Sequence, residues 1–341
     1  MCIRDSYETW TEGLNQDWCI SRQRYFGVPF PVWYKVDANG NIDYNQVILP
    51  EENRLPIDPM ADTPTGYAES QRNQPNGFTG DPDVMDTWAT SSLTPQIAMA
   101  MAKDGSNLSM PFDIRPQAHD IIRTWAFYTI AKSLMHENTI PWHKTLISGF
   151  ILDPDRKKMS KSKGNVIYAD ELVDFFGVDA VRYFVLHEMP FDNDGVITWE
   201  LMVERMNSEL ANTLGNLVNR TISMSNKYFG GVVENKGVTE PVDDDLKSFI
   251  LSVPAKVDAK MEKLRVADAI TEVFTIFKRC NKYIDETMPW ALAKDEAKKD
   301  RLATVLYTLV EGIAMGATLL ESFMPETTER ILAQLNAEKR T

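Results

Sequence analysis

A run of lysines and serines stands out at residues 158–162, which read Lys158-Met159-Ser160-Lys161-Ser162. A β-rich run ends shortly before it at Gly149. Ammonium groups on a mobile loop neutralise the charge that builds up on phosphates during phosphoryl or nucleotidyl transfer. A solvated basic surface loop is the ordinary alternative for such a run. The intact pentapeptide, placed after a glycine-terminated strand, favours a polyphosphate-binding loop.

A second set of side chains lies upstream, at Trp88, Asp120, Ile121 and Trp125. The short strand predicted at Ile114–Gln117 leads directly into a helix, so Asp120 falls at the carboxyl end of a strand, where open α/β sheets bind ligands. Tryptophans at helical spacing are more often part of a core than of a ligand site. Ordinary core packing therefore remains an alternative for the two tryptophans.

A third set lies in the second half of the chain. Asn212, Asn216 and Arg220 are four residues apart and predict one polar stripe on a helix whose other face is apolar. Amide and guanidinium groups can read the edges of unstacked bases, and an exposed Trp290 would offer a stacking surface, as in proteins that bind single-stranded RNA loops. Alternatively, the stripe only solvates its helix and Trp290 packs in the bundle.

Composition narrows the functional classes. The 341 residues are 43% hydrophobic and 25% charged, with a net charge of −13. An acidic chain argues against DNA coating by bulk charge but allows a local RNA contact. No apolar run long enough to predict a membrane span is evident. The cysteines Cys2, Cys19 and Cys280 are far apart, so neither a disulfide framework nor a zinc site is expected, and no other metal site is predicted.

The elements that must position these residues divide the chain. Residues 7–168 predict an α/β nucleotide-binding, Rossmann-like half-domain with a loop-rich insertion at 37–80, residues 169–200 a connecting segment, and residues 201–341 an all-α bundle. Residues 1–6 are expected to be a non-native leader. Periodic apolar residues predict strands at Val28–Val36 and Thr145–Phe150, and helices at Asp120–His136, Thr198–Phe229, Val266–Asp285 and Arg301–Phe323. Pro241 and Asp243–Asp245 predict a loop between long helices.

The Lys158–Ser162 motif closely resembles the lysine loop of class I aminoacyl-tRNA synthetases. The resemblance implies that Lys158 and Lys161 are catalytic and hold the phosphates of ATP. The other implied ATP-binding positions are Gly149, Met159, Ser160 and Ser162. Such enzymes use ATP with Mg²⁺ to form an aminoacyl adenylate and then pass the acyl group to tRNA. Tight placement and charge neutralisation do most of that work. The implied location is the cytoplasm.

The two halves resemble different branches of that family. The runs Trp18–Gly27, Asp83–Ser92 and Arg115–Trp125 are similar to valine-tRNA ligases. In such enzymes, Trp88, Ile121 and Trp125 would wall a pocket for a small β-branched amino acid, and Asp120 would meet its amino group or the nucleotide.

The bundle, in contrast, resembles the anticodon-binding domain of methionine-tRNA ligases through Leu214–Arg220, Asn281–Trp290 and Phe323–Thr327. There, positions matching Asn212, Asn216, Arg220 and Trp290 read the CAU anticodon. Methionine is therefore the first expectation for the amino acid, and valine the alternative.

The change of resemblance falls within Lys158–Asn165, a stretch common to both branches, so we hypothesise a chimera joined there. The histidines His119, His136, His143 and His187 form no His-x-Gly-His pair, the other ATP-binding motif of the class. We therefore expect the 341-residue chain alone to be inactive. A non-catalytic tRNA-binding module and a small adenylyl transferase with a similar lysine loop are the rival interpretations, and the long bundle counts against the latter.

Overall fold

A computed structural model describes residues 3–102, 108–189, 191 and 193–340. Met1 and Cys2 of the predicted leader lie outside this set, and its remaining residues belong to the helix Ile3–Glu12. The chain divides into two compact units, Met1–Ile147 and Ser148–Thr341. The predicted boundary was residue 168. The lysine motif thus belongs to the same unit as the helical bundle.

The first unit mixes short strands with helices. Its strands are β1 (Ser21–Arg22), β2 (Trp33–Val36), β3 (Ile42–Ile48), β4 (Phe78–Gly80), β5 (Val84–Met85), β6 (Phe112–Ala118) and β7 (Trp142–Ser148). Its α-helices are α1 (Ile3–Glu12), α2 (Thr87–Ser91), α3 (Thr94–Met101) and α4 (Phe127–Glu137). The long strands β6 and β7 pair with each other across the helical connection that contains α4. This strand–helix–strand unit is the part of the predicted nucleotide-binding fold that carries Asp120.

The loop-rich insertion has more core than the sequence led us to expect. Strands β3, β2 and β4 form an antiparallel sheet, in that order. Trp33 and Phe78 are fully buried there and pack with Ile57. The Trp33 indole N–H donates to the carbonyl of Pro59 at 3.1 Å. One tryptophan therefore organises a segment whose many prolines and glycines predicted only turns and a hairpin.

Two β-rich runs shift in position. The run predicted at Val28–Val36 forms a strand only from Trp33, because Pro29 and Pro31 lack the N–H groups that a ladder needs. The strand predicted at Thr145–Phe150 begins earlier, at Trp142, and ends at Ser148. The strand predicted at Ile114–Gln117 is confirmed and slightly longer.

The second unit is mostly helical. It contains the short parallel strands β8 (Ile151–Leu152) and β9 (Gly195–Val196). Its helices are α5 (Ala169–Phe176), α6 (Val178–Glu188), α7 (Trp199–Arg205), α8 (Asn216–Phe229), α9 (Pro241–Met261), α10 (Val266–Thr287), α11 (Pro289–Leu292), α12 (Lys299–Leu320) and α13 (Pro325–Leu335). One continuous core runs from Tyr183 to Leu332 and includes most inward-facing residues of α9, α10 and α12. The predicted helical bundle is thus confirmed.

The prediction of a loop at Pro241 and Asp243–Asp245 was wrong, because these residues open α9. Proline suits the first helical turn, where its missing N–H costs nothing. Asp243 accepts the backbone N–H of Glu240 at 2.7 Å, which caps the helix. The acidic run therefore complements the helix N-terminus, where negative charge is favourable.

Two further helices depart from a simple α-helical pattern. The helix predicted at Asp120–His136 starts as a 3₁₀ turn at His119–Ile121 and a π-helical turn at Ile122–Ala126 before α4 begins. The helix predicted at Thr198–Phe229 is continuous, but its middle, Met206–Gly215, is π-helical. By length and composition alone, Glu296–Leu320, which comprises α12 and the turn before it, could cross a membrane, but 61% of its most apolar stretch is buried within the bundle.

Candidate nucleotide and RNA sites

The lysine motif lies in a closed turn that we call the lysine loop, residues Asp153–Asn165. The buried carboxylate of Asp153 accepts the backbone N–H of Lys157 and the side-chain amide of Asn165, each at 2.7 Å. The carbonyl oxygen of the Asn165 amide in turn accepts the N–H of Ser160 at 2.9 Å. These bonds join the two ends of the loop, so its basic side chains project from a fixed base.

The Asp153 carboxylate is held in its charged form. The side-chain amide of Asn165 and the backbone N–H of Lys157 donate to it and lower its pKa below the ordinary value. A group with a depressed pKa stabilises the fold above its ordinary pKa, and that contribution is lost as pH falls through the folded-state pKa. The loop base is therefore expected to weaken only in acid.

The residues within the motif divide between the core and solvent. Met159 packs against the small cluster that includes Leu172 and Phe184, whereas Lys158 and Lys161 are exposed. The Lys158 ammonium lies 4.1 Å from the centre of the Phe150 ring. The hydroxyl oxygens of Ser160 and Ser162 are 2.7 Å apart. The methionine thus anchors a loop that presents two cations and a pair of hydroxyls.

Gly149 is required by a close approach of the chain. A Cβ atom at this position would collide with the backbone of Asn193. The Gly149 N–H donates to the Phe191 carbonyl at 3.0 Å, and the Phe150 N–H donates to the Asp194 carboxylate at 2.7 Å. The glycine therefore allows the segment before β9 to pack against the entry to the lysine loop.

The residues proposed for an amino-acid pocket are partly gathered together. Trp125 is buried, and its indole N–H donates to the carbonyl of Ser91 at 2.9 Å, at the end of the helix that carries Trp88. Ile121 packs against the same cluster. Asp120 lies exposed in the 3₁₀ turn that follows β6.

The ring of Trp125 has extensive contacts of its own. It stacks on Trp142 with centroids 5.4 Å apart and an interplanar angle of 7°, and the Arg115 guanidinium lies 3.9 Å from its centre. These contacts support the interpretation that Trp125 is a core residue. Its role as a pocket wall stays a prediction.

The polar stripe is present on one long helix. Asn212 lies in the π-helical part and is exposed, as is Asn216 at the start of α8. Arg220 is half-buried, and its guanidinium lies 3.7 Å from the carboxylate of Asp285 on α10. Four residues make slightly more than one α-helical turn and slightly less than one π-helical turn, so the three side chains stay on one side of the helix.

Trp290 is 43% exposed in the short helix α11, which follows α10 directly. The helix that carries the stripe, which we call the stripe helix, consists of α7, the π-helical stretch Met206–Gly215 and α8. It also contacts α10, where the side-chain amide of Asn281 donates to the carbonyl of Thr213 at 2.9 Å. Asp285 and Asn281 therefore link the stripe to the helix that leads to Trp290. Exposed amides, a guanidinium and an indole on neighbouring elements can together hydrogen-bond and stack unpaired bases.

Residues 2–195, more than half of the chain, match the family described as tRNA synthetases class I (I, L, M and V). The chain belongs to this family. Residues 233–341 match the anticodon-binding domain of methionyl tRNA ligase. The recognised family, the catalytic half and the helical anticodon domain are thus all confirmed.

The chain is also similar to individual curated valine-tRNA ligases. The valine-tRNA ligase of Salinispora tropica is 54% identical over 205 residues, which cover 60% of this chain and 24% of that protein. That of Thermobifida fusca is 40% identical over 332 residues, covering 96% and 37%. The chain therefore spans well under half the length of these curated relatives.

The solved structures that resemble the chain are of a methionyl-tRNA synthetase. Mycobacterium tuberculosis methionyl-tRNA synthetase in complex with methionyl-adenylate superposes with a TM-score of 0.73 at 28% identity, covering 96% of this chain and 56% of that chain. The structure of its apo form gives a TM-score of 0.70 at 25% identity.

Sequence reasoning did not single out the residues that hold the proposed site residues in place. Asp153 and Asn165 close the lysine loop, and Asp285 neutralises Arg220. A carboxylate followed by an asparagine across a basic loop was a usable signal, because both side chains often bond to turn backbones. Arg220 and Asp285 lie on different helices, so no local sequence pattern indicates that they pair.

Proposed function

We propose that this chain supplies the lysine-loop part of an ATP-dependent amino-acid-activating site. The observation that carries the proposal is the pair of exposed cations, Lys158 and Lys161, on a loop fixed by Asp153 and Asn165 within a class I synthetase match. A fixed base with mobile ammonium groups can follow charge onto the departing pyrophosphate without reorganising the fold. Gly149, Met159, Ser160 and Ser162 form the rest of the ATP contact.

The reaction needs no protein nucleophile. The amino-acid carboxylate attacks the α-phosphate of ATP, and the bond to pyrophosphate breaks in line with it. Positioning and charge neutralisation supply the rate. Mg²⁺ would accompany ATP through phosphate oxygens. The pocket for the amino acid is proposed at Trp88, Asp120, Ile121 and Trp125.

The second proposed activity is recognition of a tRNA anticodon by the bundle. Asn212, Asn216 and Arg220 would bond to base edges, and Trp290 would stack on a base. The match of residues 233–341 to a methionyl-tRNA ligase anticodon domain supports methionine tRNA as the partner. The 54% identity over 205 residues to a valine-tRNA ligase supports valine as the alternative amino acid.

We propose further that the 341-residue chain does not form aminoacyl adenylate by itself, because its sequence has no His-x-Gly-His pair to share ATP with the lysines. A non-catalytic tRNA-binding module is then the function left to it. Pyrophosphate exchange measured with methionine and with valine separates the two cases. Exchange above background with either amino acid would refute the proposal that the chain is inactive. If such exchange is then abolished by Lys158→Ala and by Lys161→Ala, the result supports the ATP site.

We also propose that the chain joins a valine-type and a methionine-type gene within Lys158–Asn165. The support is that residues 233–341 match a methionyl tRNA ligase domain, whereas a valine-tRNA ligase is 54% identical over 205 residues of the chain. A cytoplasmic location is expected for such a protein. Sequencing single DNA molecules from the source organism tests the junction, and one unbroken read through both halves would contradict the chimera.

A further inference from the structure

A cleft of about 560 Å³ opens in the first unit, beside the antiparallel sheet of β2, β3 and β4. The residues that line it include three aromatic ones, Phe30, Tyr34 and Tyr44, and two acidic ones, Asp81 and Asp83. Among the described residues, no lysine or arginine lines the cleft, and no residue of the proposed amino-acid pocket does. Nothing proposed above uses it.

Two of the aromatic rings form a corner in the wall of the cleft. The ring centroids of Tyr34 and Tyr44 are 5.0 Å apart, and the ring planes meet at 63°. The pairing of β2 with β3 shifts in register between Tyr34–Val47 and Lys35–Asp43, so β3 carries extra residues there, and Tyr44 is one of them. Such bulges redirect side chains. Because Tyr44 is 66% exposed, its ring is available to a ligand, and ring faces attract cations.

The two carboxylates of the cleft are bonded only to neutral donors. Asp81 accepts the hydroxyl of Tyr34 at 2.7 Å and the backbone N–H of Asp83 at 2.8 Å. Asp83 accepts the side-chain amide of Gln23 at 2.7 Å and the hydroxyl of Ser21. Neither carboxylate has an ion-pair partner in the part of the chain that the structure describes. An ionised carboxylate can accept about four hydrogen bonds, so both can take up further donors.

Tyr34 is affected by this negative charge. Its hydrogen bond to Asp81, its burial, and the charges of Asp81, Tyr44 and Asp83 raise the pKa of Tyr34 to about 12. Nearby negative charge raises a tyrosine pKa because it disfavours the phenolate. A cleft lined by charge of one sign concentrates ions of the opposite sign. The group that fits this cleft is therefore a cation with N–H donors.

Two carboxylates without a cationic partner, beside an aromatic corner, match an aliphatic chain with an ammonium group at each end. We propose that this cleft binds a small aliphatic diamine. Its ammonium groups bond to Asp81 and Asp83, and its methylene chain lies against the rings of Tyr34 and Tyr44. A bare metal ion would use the oxygens but leave the rings without a partner. The site is additional to those proposed for ATP, the amino acid and tRNA and does not depend on them.

Ligand-observed NMR with 1,4-diaminobutane and the whole chain tests the proposal. Saturable binding is expected in the millimolar range, as suits a small ligand. Butylamine, which has one ammonium group, should bind about 10-fold more weakly, and 1,4-butanediol, which has the same length and no charge, should show no saturable binding. Absence of saturable binding by 1,4-diaminobutane, or equal binding by all three compounds, would overturn the proposal.

Substitutions of tyrosine test the aromatic corner. Tyr44→Leu changes an exposed side chain that folding does not require, and it should raise the Kd for 1,4-diaminobutane about threefold. Tyr44→Phe keeps the ring and should leave the Kd unchanged. Tyr25→Leu is the control, because Tyr25 is 93% exposed and does not line the cleft. An unchanged Kd in Tyr44→Leu would refute the site.

Substitutions of acidic residues separate this site from loose attraction to a chain with a net charge of −13. Asp81→Asn keeps an acceptor for the Tyr34 hydroxyl and should raise the Kd about 10-fold. Glu51→Gln removes the same charge from an exposed residue outside the cleft and should not change it. An equal change in both variants would assign the binding to overall charge and contradict the proposal.

Discussion

The two units of the chain are stabilised in different ways. In the unit that ends at Ile147, the buried side chains form small separate clusters, one around Trp33 and another around Trp125. In the unit that begins at Ser148, one large core extends from Tyr183 to Leu332, beside a smaller cluster around Phe184. Helices satisfy their own backbone hydrogen bonds and need only one apolar face covered, whereas short strands depend on neighbouring strands. The residues of the proposed amino-acid pocket therefore belong to the unit that depends more on its surroundings to fold, whereas the lysine loop and the proposed anticodon-reading residues belong to the more self-sufficient one.

The largest expected difference is between the isolated units. A fragment of residues 148–341 should unfold in one cooperative transition, because it retains its continuous core. A fragment of residues 1–147 should show no cooperative transition, because its clusters are small. Circular dichroism during heating measures both. A sharp transition in the shorter fragment, or none in the longer one, would contradict the comparison.

A core substitution tests the same difference within the whole chain. Phe277 is fully buried and packs edge-on against Phe274. Phe277→Ala should lower the free energy of unfolding of the bundle by about 3–5 kcal/mol. Phe78→Ala, which removes an equally buried ring from the other unit, should leave the bundle transition in place. Urea titration followed by helical signal distinguishes these outcomes.

A buried polar network at the start of α9 should have a similar or slightly smaller effect. The Arg301 guanidinium lies 2.9 Å from the Asp243 carboxylate, and both side chains are buried. The Tyr283 hydroxyl donates to Asp243, and burial together with this bond raises the pKa of Tyr283. Arg301→Met leaves that carboxylate without its cation, which costs about 3 kcal/mol. Lys299→Met, which breaks an exposed pair with Glu296, is the control and should change nothing measurable.

The lysine loop should show the smallest of these effects. Asn165→Ala removes the bonds to Asp153 and Ser160, so trypsin should cut within the loop about fivefold faster at neutral pH. Asn207→Ala changes an exposed asparagine and is the control.

The pH dependence of the loop tests the carboxylate of Asp153. In the unsubstituted chain, the loop should loosen only as the pH falls below about 4, because the depressed pKa of Asp153 keeps the carboxylate charged, and its hydrogen bonds intact, at higher pH. Amide hydrogen exchange measures how readily the loop opens. Faster exchange of the loop amides already near neutral pH would contradict the role of Asp153 in closing it.

Much of the fold followed from local patterns. The helices α10 and α12 carry long apolar stripes, and the periodicity predicted both within a few residues. The prediction at Pro241 was wrong because proline and acidic residues are typical both of loops and of helix starts. The hydrogen bond from the Glu240 N–H to the Asp243 carboxylate identifies a helix start, and the sequence does not show it. The π-helical stretch Met206–Gly215 leaves the apolar spacing almost unchanged, so periodicity alone did not reveal it.

The site was predictable as residue types but not as an arrangement. The lysines were evident from the motif, whereas their support by Asp153 and Asn165 depends on a turn that brings together residues 12 positions apart. The stacking of Trp125 on Trp142 joins a helix start to a strand, and no local pattern encodes such a contact. Pairings between distant elements were therefore the part that the sequence left undetermined.

The central claim is that the bundle reads an anticodon of the methionine type. Its most direct test is fluorescence anisotropy with the whole chain and two labelled anticodon stem-loops, one carrying the methionine anticodon CAU and the other a valine anticodon. We expect the methionine stem-loop to bind about 10-fold more tightly, with Trp290→Ala and Asn216→Ala each removing most of that preference and the exposed Asn207→Ala none of it. Equal affinity for both stem-loops, or a preference for the valine anticodon, would contradict the claim.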